Sequence, residues 1–142
     1  MAQMNRENPK ISFQDIEHFE QKFNIIFPKD YAEFLLNSNG GNPKESAFKT
    51  NFNDGEGVVN KFYGIGNMKS NLGRVFEVLE GEIPEEFISI ANDPGGNEIL
   101  LGISEGYYGK VYFWIHDIES EDEMDNMFIL AGSFTAFFNS LY

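Results

Sequence analysis

Two histidines, a run of acids and no cysteine define the chemistry this chain could attempt. His116-Asp117 would need a serine to complete an acyl-transfer triad. Neither Ser104 nor Ser120 stands in the Gly-x-Ser-x-Gly turn that presents such a nucleophile. His18 falls among the polar positions of a helix-spaced segment and reads as a surface residue. A calcium loop begun at Asp117 puts Glu119 and Glu121 at its third and fifth positions. It then offers Asp122 where glycine is needed and Phe128 where the bidentate glutamate belongs. Asn51-x-Asn53-x-Gly55 fails in the same way. Gly64-Ile65-Gly66-Asn67-Met68-Lys69-Ser70 resembles pieces of two phosphate-binding loops. Lys69 occupies the third glycine of the dinucleotide pattern, and Met68 replaces the glycine that precedes the P-loop lysine. That segment reads as a strand-to-helix turn. The lack of cysteine removes thiol nucleophiles, thiolate metal sites and disulfides. We therefore expect no catalytic residue, no metal site and no cofactor.

Charge is distributed very unevenly. Residues 1–74 hold nine Lys/Arg and nine Asp/Glu, so the whole net charge of −13 belongs to residues 75–142. Lys110 is the one base in that half. Six of the nine residues from Asp117 to Asp125 are acids. Such a field repels nucleic acid and anionic membrane and attracts basic surfaces. Tyr107, Tyr108, Tyr112, Phe113 and Trp114 could stack on bases, but the sign of the charge opposes it. They read as core and hairpin packing, with some free to anchor a protein partner. A solvated surface explains the acidic run equally well.

The elements that would position these groups follow from periodicity. Ser12 and Asp15 form a helix start signal, and Phe13, Ile16, Phe19 and Phe23 then recur at helical spacing. Phe27-Pro28 ends that helix and opens a second one, whose buried side is Tyr31, Phe34 and Leu35. Asn37-Ser38-Asn39-Gly40-Gly41 supplies the stop. Residues 42–57 read as loop with an edge strand near Ala47-Phe48. Val58 to Ile65 reads as a strand, and Asn67 to Leu79 as a third helix weakened by Gly73. Strands are expected at Phe87–Ile90, Ile99–Ile103 and Val111–Ile115, with a short one at Phe128–Ala131. Their turn-like connections favour antiparallel neighbours. Ser133 caps a last helix carrying Phe134, Phe137, Phe138 and Leu141. The expected fold is α+β, a central antiparallel sheet with helices packed on one face. The expected core includes Phe19, Phe34, Leu35, Ile90, Leu100, Val111, Phe113, Phe134 and Phe137. Residues 1–10 read as a polar tail and 11–142 as one domain. The N-terminus lacks an apolar signal-peptide core, and no apolar run approaches the ~20 residues of a membrane span. These features lead us to expect a soluble, cytoplasmic protein.

The order of signals resembles a known family. Ile16-Glu17-x-Phe19-Glu20 precedes Phe27-Pro28-Lys29-Asp30-Tyr31-x-x-Phe34-Leu35 and Asn39-Gly40-Gly41. Ile83-Pro84-x-x-Phe87 and Ile90-Ala91-x-Asp93-x-Gly95-Gly96-Asn97 follow. Next comes Gly109-x-Val111-Tyr112-Phe113-Trp114-x-His116-Asp117, and the chain closes on Ala131-x-Ser133-Phe134-x-x-Phe137. Together these resemble the SUKH superfamily (Smi/Knr-like domains) over about residues 13–141. Each motif is loose, and their combination is specific. The resemblance implies an α+β fold without enzymatic activity. It implies either a bacterial immunity protein, which binds and neutralises a cognate toxin, often a nuclease, of a polymorphic or contact-dependent system, or an intracellular regulatory or scaffold module that binds endogenous proteins. It also implies that Pro28, Tyr31, Gly40, Gly41, Gly95, Gly96 and Trp114 determine the fold.

The expected partner is thus a protein toxin with a basic surface, and neither nucleic acid nor membrane. The expected contact surface is the part no motif constrains: Asp117, Glu119, Glu121, Asp122, Glu123 and Asp125, assisted by Glu82, Glu85 and Glu86.

Overall fold

The computed structural model describes residues 3–118, 122 and 124–142. Ser12 caps helix α1 (Phe13–Phe23) with a complete capping box. Its hydroxyl accepts from the Asp15 amide, and the Asp15 carboxylate accepts from the Ser12 amide at 2.8 Å. These bonds hold the Asp15 carboxyl below its ordinary range. The α1 stripe buries Ile16 and Phe19. Helix α2 (Lys29–Ser38) follows Pro28 and buries Tyr31, Phe34 and Leu35. It stops at Asn39, whose backbone is left-handed at φ 51°.

Strand β1 (Met4–Glu7) pairs antiparallel with β2 (Gly41–Pro43). A short hairpin of β3 (Ala47–Lys49) and β4 (Glu56–Val58) flanks a 3-10 turn at Phe52–Asp54. Strand β5 (Lys61–Phe62) leads to α3 (Leu72–Val78). Then come β6 (Phe87–Asn92), β7 (Glu98–Gly102), β8 (Val111–Trp114), β9 (Met127–Ala131) and α4 (Phe134–Ser140). Among the described residues the main sheet has seven strands in the order β1-β2-β5-β6-β7-β8-β9, every neighbour antiparallel. The fold is α+β, as the pattern of the sequence leads one to expect.

Alternation along the strands sends Ile88, Ile90, Ile99, Leu101, Val111 and Phe113 to one face. Buried residues of all four helices join that face in one cluster. Aromatic rings dominate it: Tyr31 lies 5.2 Å from Phe27 and 5.1 Å from Phe134, while Phe34 lies 5.2 Å from Phe62. All nine residues expected in the core are buried.

Three segments depart from the pattern-based expectation. Val58 to Ile65 is not one strand. Its first residue ends β4 in the small hairpin, and Lys61-Phe62 pairs with β6 in the main sheet. The chain changes sheets at Val59-Asn60, where the Val59 amide bonds to Ser46 and the Asn60 amide to Asn92. The third helix spans Leu72–Val78, shorter than Asn67 to Leu79. Asn71 caps it by accepting from the Arg74 amide at 2.8 Å. Strands β1 and β2 carry no periodic sequence signal, since apart from Met4 their residues are polar or Gly/Pro. They pair because Gly41 lets two backbones meet: a Cβ there would overlap the Arg6 carbonyl, and its φ of +112° disfavours any side chain.

Candidate functional site

Register decides where the acids stand. Phe87, Gly102 and Val111 mark one end of the β6-β7-β8 unit, and Asn92, Glu98 and Trp114 mark the other. Glu82, Glu85 and Glu86 precede Phe87 and so sit at the first end, about 17 Å along β6 from the second at ~3.3 Å per residue. Asp117, Asp122 and Asp125 belong to the β8–β9 connection at the second end and are exposed. Glu119, Glu121 and Glu123 lie outside the described residues. The two acidic groups therefore do not merge.

Between them lies the sheet face turned away from the main cluster. Alternation places Phe87, Ser89, Glu98, Leu100, Tyr112 and Trp114 on it. Phe87, Leu100, Trp114 and Met127 form a second buried cluster, closed over by half-buried Ile83, Tyr107, Tyr112 and Met124. Phe87 lies 5.0 Å from the Tyr107 ring and 5.2 Å from Tyr112. Ile129 on edge strand β9 and Tyr108 in the β7–β8 turn are exposed. Ile83 and Met124 link this apolar patch to the acids, since each belongs to one of the two acidic segments. Lys110 is the one base from residue 75 onward, and it stands at the first end, where its backbone bonds to Gly102 and Tyr107.

The motif around His116 is tied up in backbone organisation. Asp93 Oδ1 accepts from the Gly95 and Asn97 amides at 2.9 and 2.8 Å, which shapes the β6–β7 turn. Asn97 Nδ2 donates to Asp93 Oδ2 at 3.0 Å, and Asn97 Oδ1 accepts from the His116 amide at 3.0 Å. The His116 ring places Nε2 3.0 Å from the Gly95 carbonyl. Asn39 does the same work at the other edge. Its carboxamide spans Pro9 and both backbone groups of Ile65, with bonds of 2.8 to 2.9 Å.

One polar group was not singled out from the sequence. Glu98 opens an otherwise apolar strand and is buried. Its Oε1 accepts from the Tyr63 hydroxyl and from Ser89 Oγ, each at 2.7 Å. Desolvation holds the Glu98 carboxyl above its ordinary range, Asp93 pushes the same way, and the two hydrogen bonds oppose them. In the sequence, Glu98 is one acid among many. The available signal was an acid directly abutting Ile99-Leu100-Leu101. Among the described residues no group of three or more His, Asp or Glu is placed to hold a metal ion, and no helix is long and apolar enough to cross a membrane.

The profile of the SMI1 / KNR4 family (SUKH-1) matches residues 10–140. The chain belongs to this family. The SUKH-1 match runs from just before α1 to the last residue of α4, so it takes in the Asn39, Asp93, Asn97 and His116 backbone supports. One relative is the SPbeta prophage-derived uncharacterized protein YokK of Bacillus subtilis (strain 168). It is 27% identical over 145 residues, covering 90% of this chain and 73% of its own length. In this SUKH-1 chain the motif residues brace turns and strand ends, and the described acids of the two groups lie at opposite ends of a partly covered aromatic face.

Proposed function

We propose that the protein is an immunity protein: it binds and neutralises a cognate toxin, a nuclease with a basic surface, from a bacterial polymorphic or contact-dependent toxin system, and it acts by stoichiometric binding rather than catalysis. Membership of the SUKH-1 family and likeness to a protein described as prophage-derived support this reading. The observation that carries it is the apolar face bounded by Ile83, Tyr107, Tyr112 and Met124, with acids at both ends. Half-buried aromatics supply anchors, and acids supply rim charge that speeds encounter with a basic partner. Asp117, Asp122, Asp125, Glu82, Glu85 and Glu86 form that rim, joined by Glu119, Glu121 and Glu123 in the same acidic run. No nucleic acid or membrane partner is invoked.

The test is coexpression with the C-terminal domain of a toxin encoded beside this gene. Restored growth and a 1:1 complex are expected. If the toxin still kills while this protein is folded and abundant, the immunity reading fails. Capture of an endogenous regulatory protein on the same face would then favour a scaffold role.

A further inference from the structure

Glu98 also lines a second feature, beside α3. A cavity of about 330 Å³ is lined by Tyr63, Lys69, Ser70, Arg74, Val75, Val78, Leu79 and Glu98. That volume is at the small end of the roughly 300–1,000 Å³ typical of ligand sites. The occupant it suits is therefore small. Glu98 is 8% exposed, and both of its hydrogen bonds fall on Oε1, so Oε2 has no hydrogen-bond partner among the described residues. Lys69 and Arg74 are exposed, and neither forms an ion pair among the described residues. The cavity thus presents a buried carboxylate, two unpaired cations and an apolar wall of Val75, Val78 and Leu79.

Simple ligands of one charge fit this arrangement poorly. An anion at Lys69 and Arg74 would share the cavity with Glu98, and a plain ammonium at Glu98 would share it with two cations. A metal ion would find one carboxylate and two hydroxyls, too few hard ligands for a cage. A molecule with an ammonium at one end, a carboxylate at the other and an apolar side chain satisfies all three surfaces.

We propose that this cavity binds a small apolar α-amino acid as its zwitterion. The ammonium donates to Glu98 Oε2, the carboxylate meets Arg74 and Lys69, and the side chain packs on Val75, Val78 and Leu79. Glu98 is rigidly held for this purpose by Tyr63 after β5 and Ser89 on β6. Arg74 and Lys69 come from α3 and the loop before it. The site does not depend on toxin binding.

The test is titration of the full chain with L-leucine, followed by amide chemical shifts of Ser70, Val75 and Leu79. Saturable shifts are expected, with isobutylamine and isovalerate each binding about 10-fold or more weakly, the factor that losing one charged contact would produce. Glu98→Gln keeps the oxygen that Tyr63 and Ser89 need, so the fold should persist while leucine binding is lost. Lys69→Gln with Arg74→Gln should lose it too, with no change in stability, since both residues are exposed. Absence of saturable shifts with leucine overturns the proposal. So does equal leucine affinity in folded Glu98→Gln, or isovalerate binding as well as leucine.

Discussion

The side chain of Asn97 accepts a hydrogen bond from the backbone amide of His116, 3.0 Å away and 19 residues later. Its other end is held by Asp93. The β6–β7 turn and the start of the acidic β8–β9 connection are thereby locked together. Asn97→Ala should remove the donor to Asp93 Oδ2 and the acceptor of the His116 amide at once, while the backbone amides of residues 95 and 97 still bond to Asp93 Oδ1. A loss of about 0.5–1.5 kcal/mol per lost bond is expected, since water can reach these groups, read as a lower urea midpoint. His116→Ala removes one ring contact to an exposed carbonyl and should cost less. If His116→Ala proves the more damaging, the ring, and not the Asn97 bridge, organises this corner.

Glu98 should make stability depend on pH in the direction opposite to a paired surface acid. Its carboxyl is raised in the folded chain by burial, against 4.5 as the ordinary value. Between 4.5 and its raised folded value, the folded state therefore keeps a proton that the unfolded chain has already lost. This contribution is full below pH 4.5 and disappears as pH rises through the folded value. Tyr63, Ser89, Asp93 and His116 are the groups that face it, with Lys69 and Arg74 along the cavity. Urea midpoints of wild type and Glu98→Gln across this range should differ in slope, with wild type losing more stability as pH rises. Parallel curves would show that the carboxyl titrates normally.

Tyr31 buries its hydroxyl with no hydrogen-bond partner among the described residues, and desolvation drives its ionisation far upward. The ring is packed against Phe27, Phe34 and Phe134. Tyr31→Phe keeps that packing and removes an unsatisfied polar atom, so the thermal midpoint should hold or rise. Tyr31→Ala should cost about 3–5 kcal/mol, as other buried aromatic truncations do. A clear loss in Tyr31→Phe would reveal a bond to an ordered water.

Gly41 tests the unpredicted edge of the sheet. Gly41→Ala places a methyl on the Arg6 carbonyl and asks alanine to hold φ +112°. Strand β1 should detach, with fast amide exchange confined to residues 4–7 and 41–42. Unchanged exchange there would mean that β1 does not depend on the close approach.

The proposed docking surface predicts kinetics. Converting Asp117, Glu119, Glu121, Asp122, Glu123 and Asp125 to amides should slow association with the cognate toxin and flatten its salt dependence. Single changes should do little, because screening at ~0.15 M salt acts over ~8 Å. Tyr112→Ala should act on the dissociation rate instead. A cluster variant with wild-type association at both low and high salt would remove the acids from the docking surface.

The sequence alone determined helices α1, α2 and α4, the central strands and the core, because these depend on local periodicity. Phe13, Ile16, Phe19 and Phe23 can share one face only in a helix, and Pro28 and Asn39-Gly40-Gly41 punctuate the chain through backbone sterics. The motif residues Asp93, Asn97 and His116 were legible as a set but not in their roles, since hydrogen bonds across 19 residues leave no periodic trace. Tertiary structure decided the rest. β1 and β2 exist because Gly41 and Arg6 meet. Glu82, Glu85 and Glu86 and the described acids Asp117, Asp122 and Asp125 fall at opposite strand ends because antiparallel register, not sequence distance, sets position. Glu98 became a buried group only when β5, β6 and α3 closed around it, and burial is what separates it from the other acids of this half.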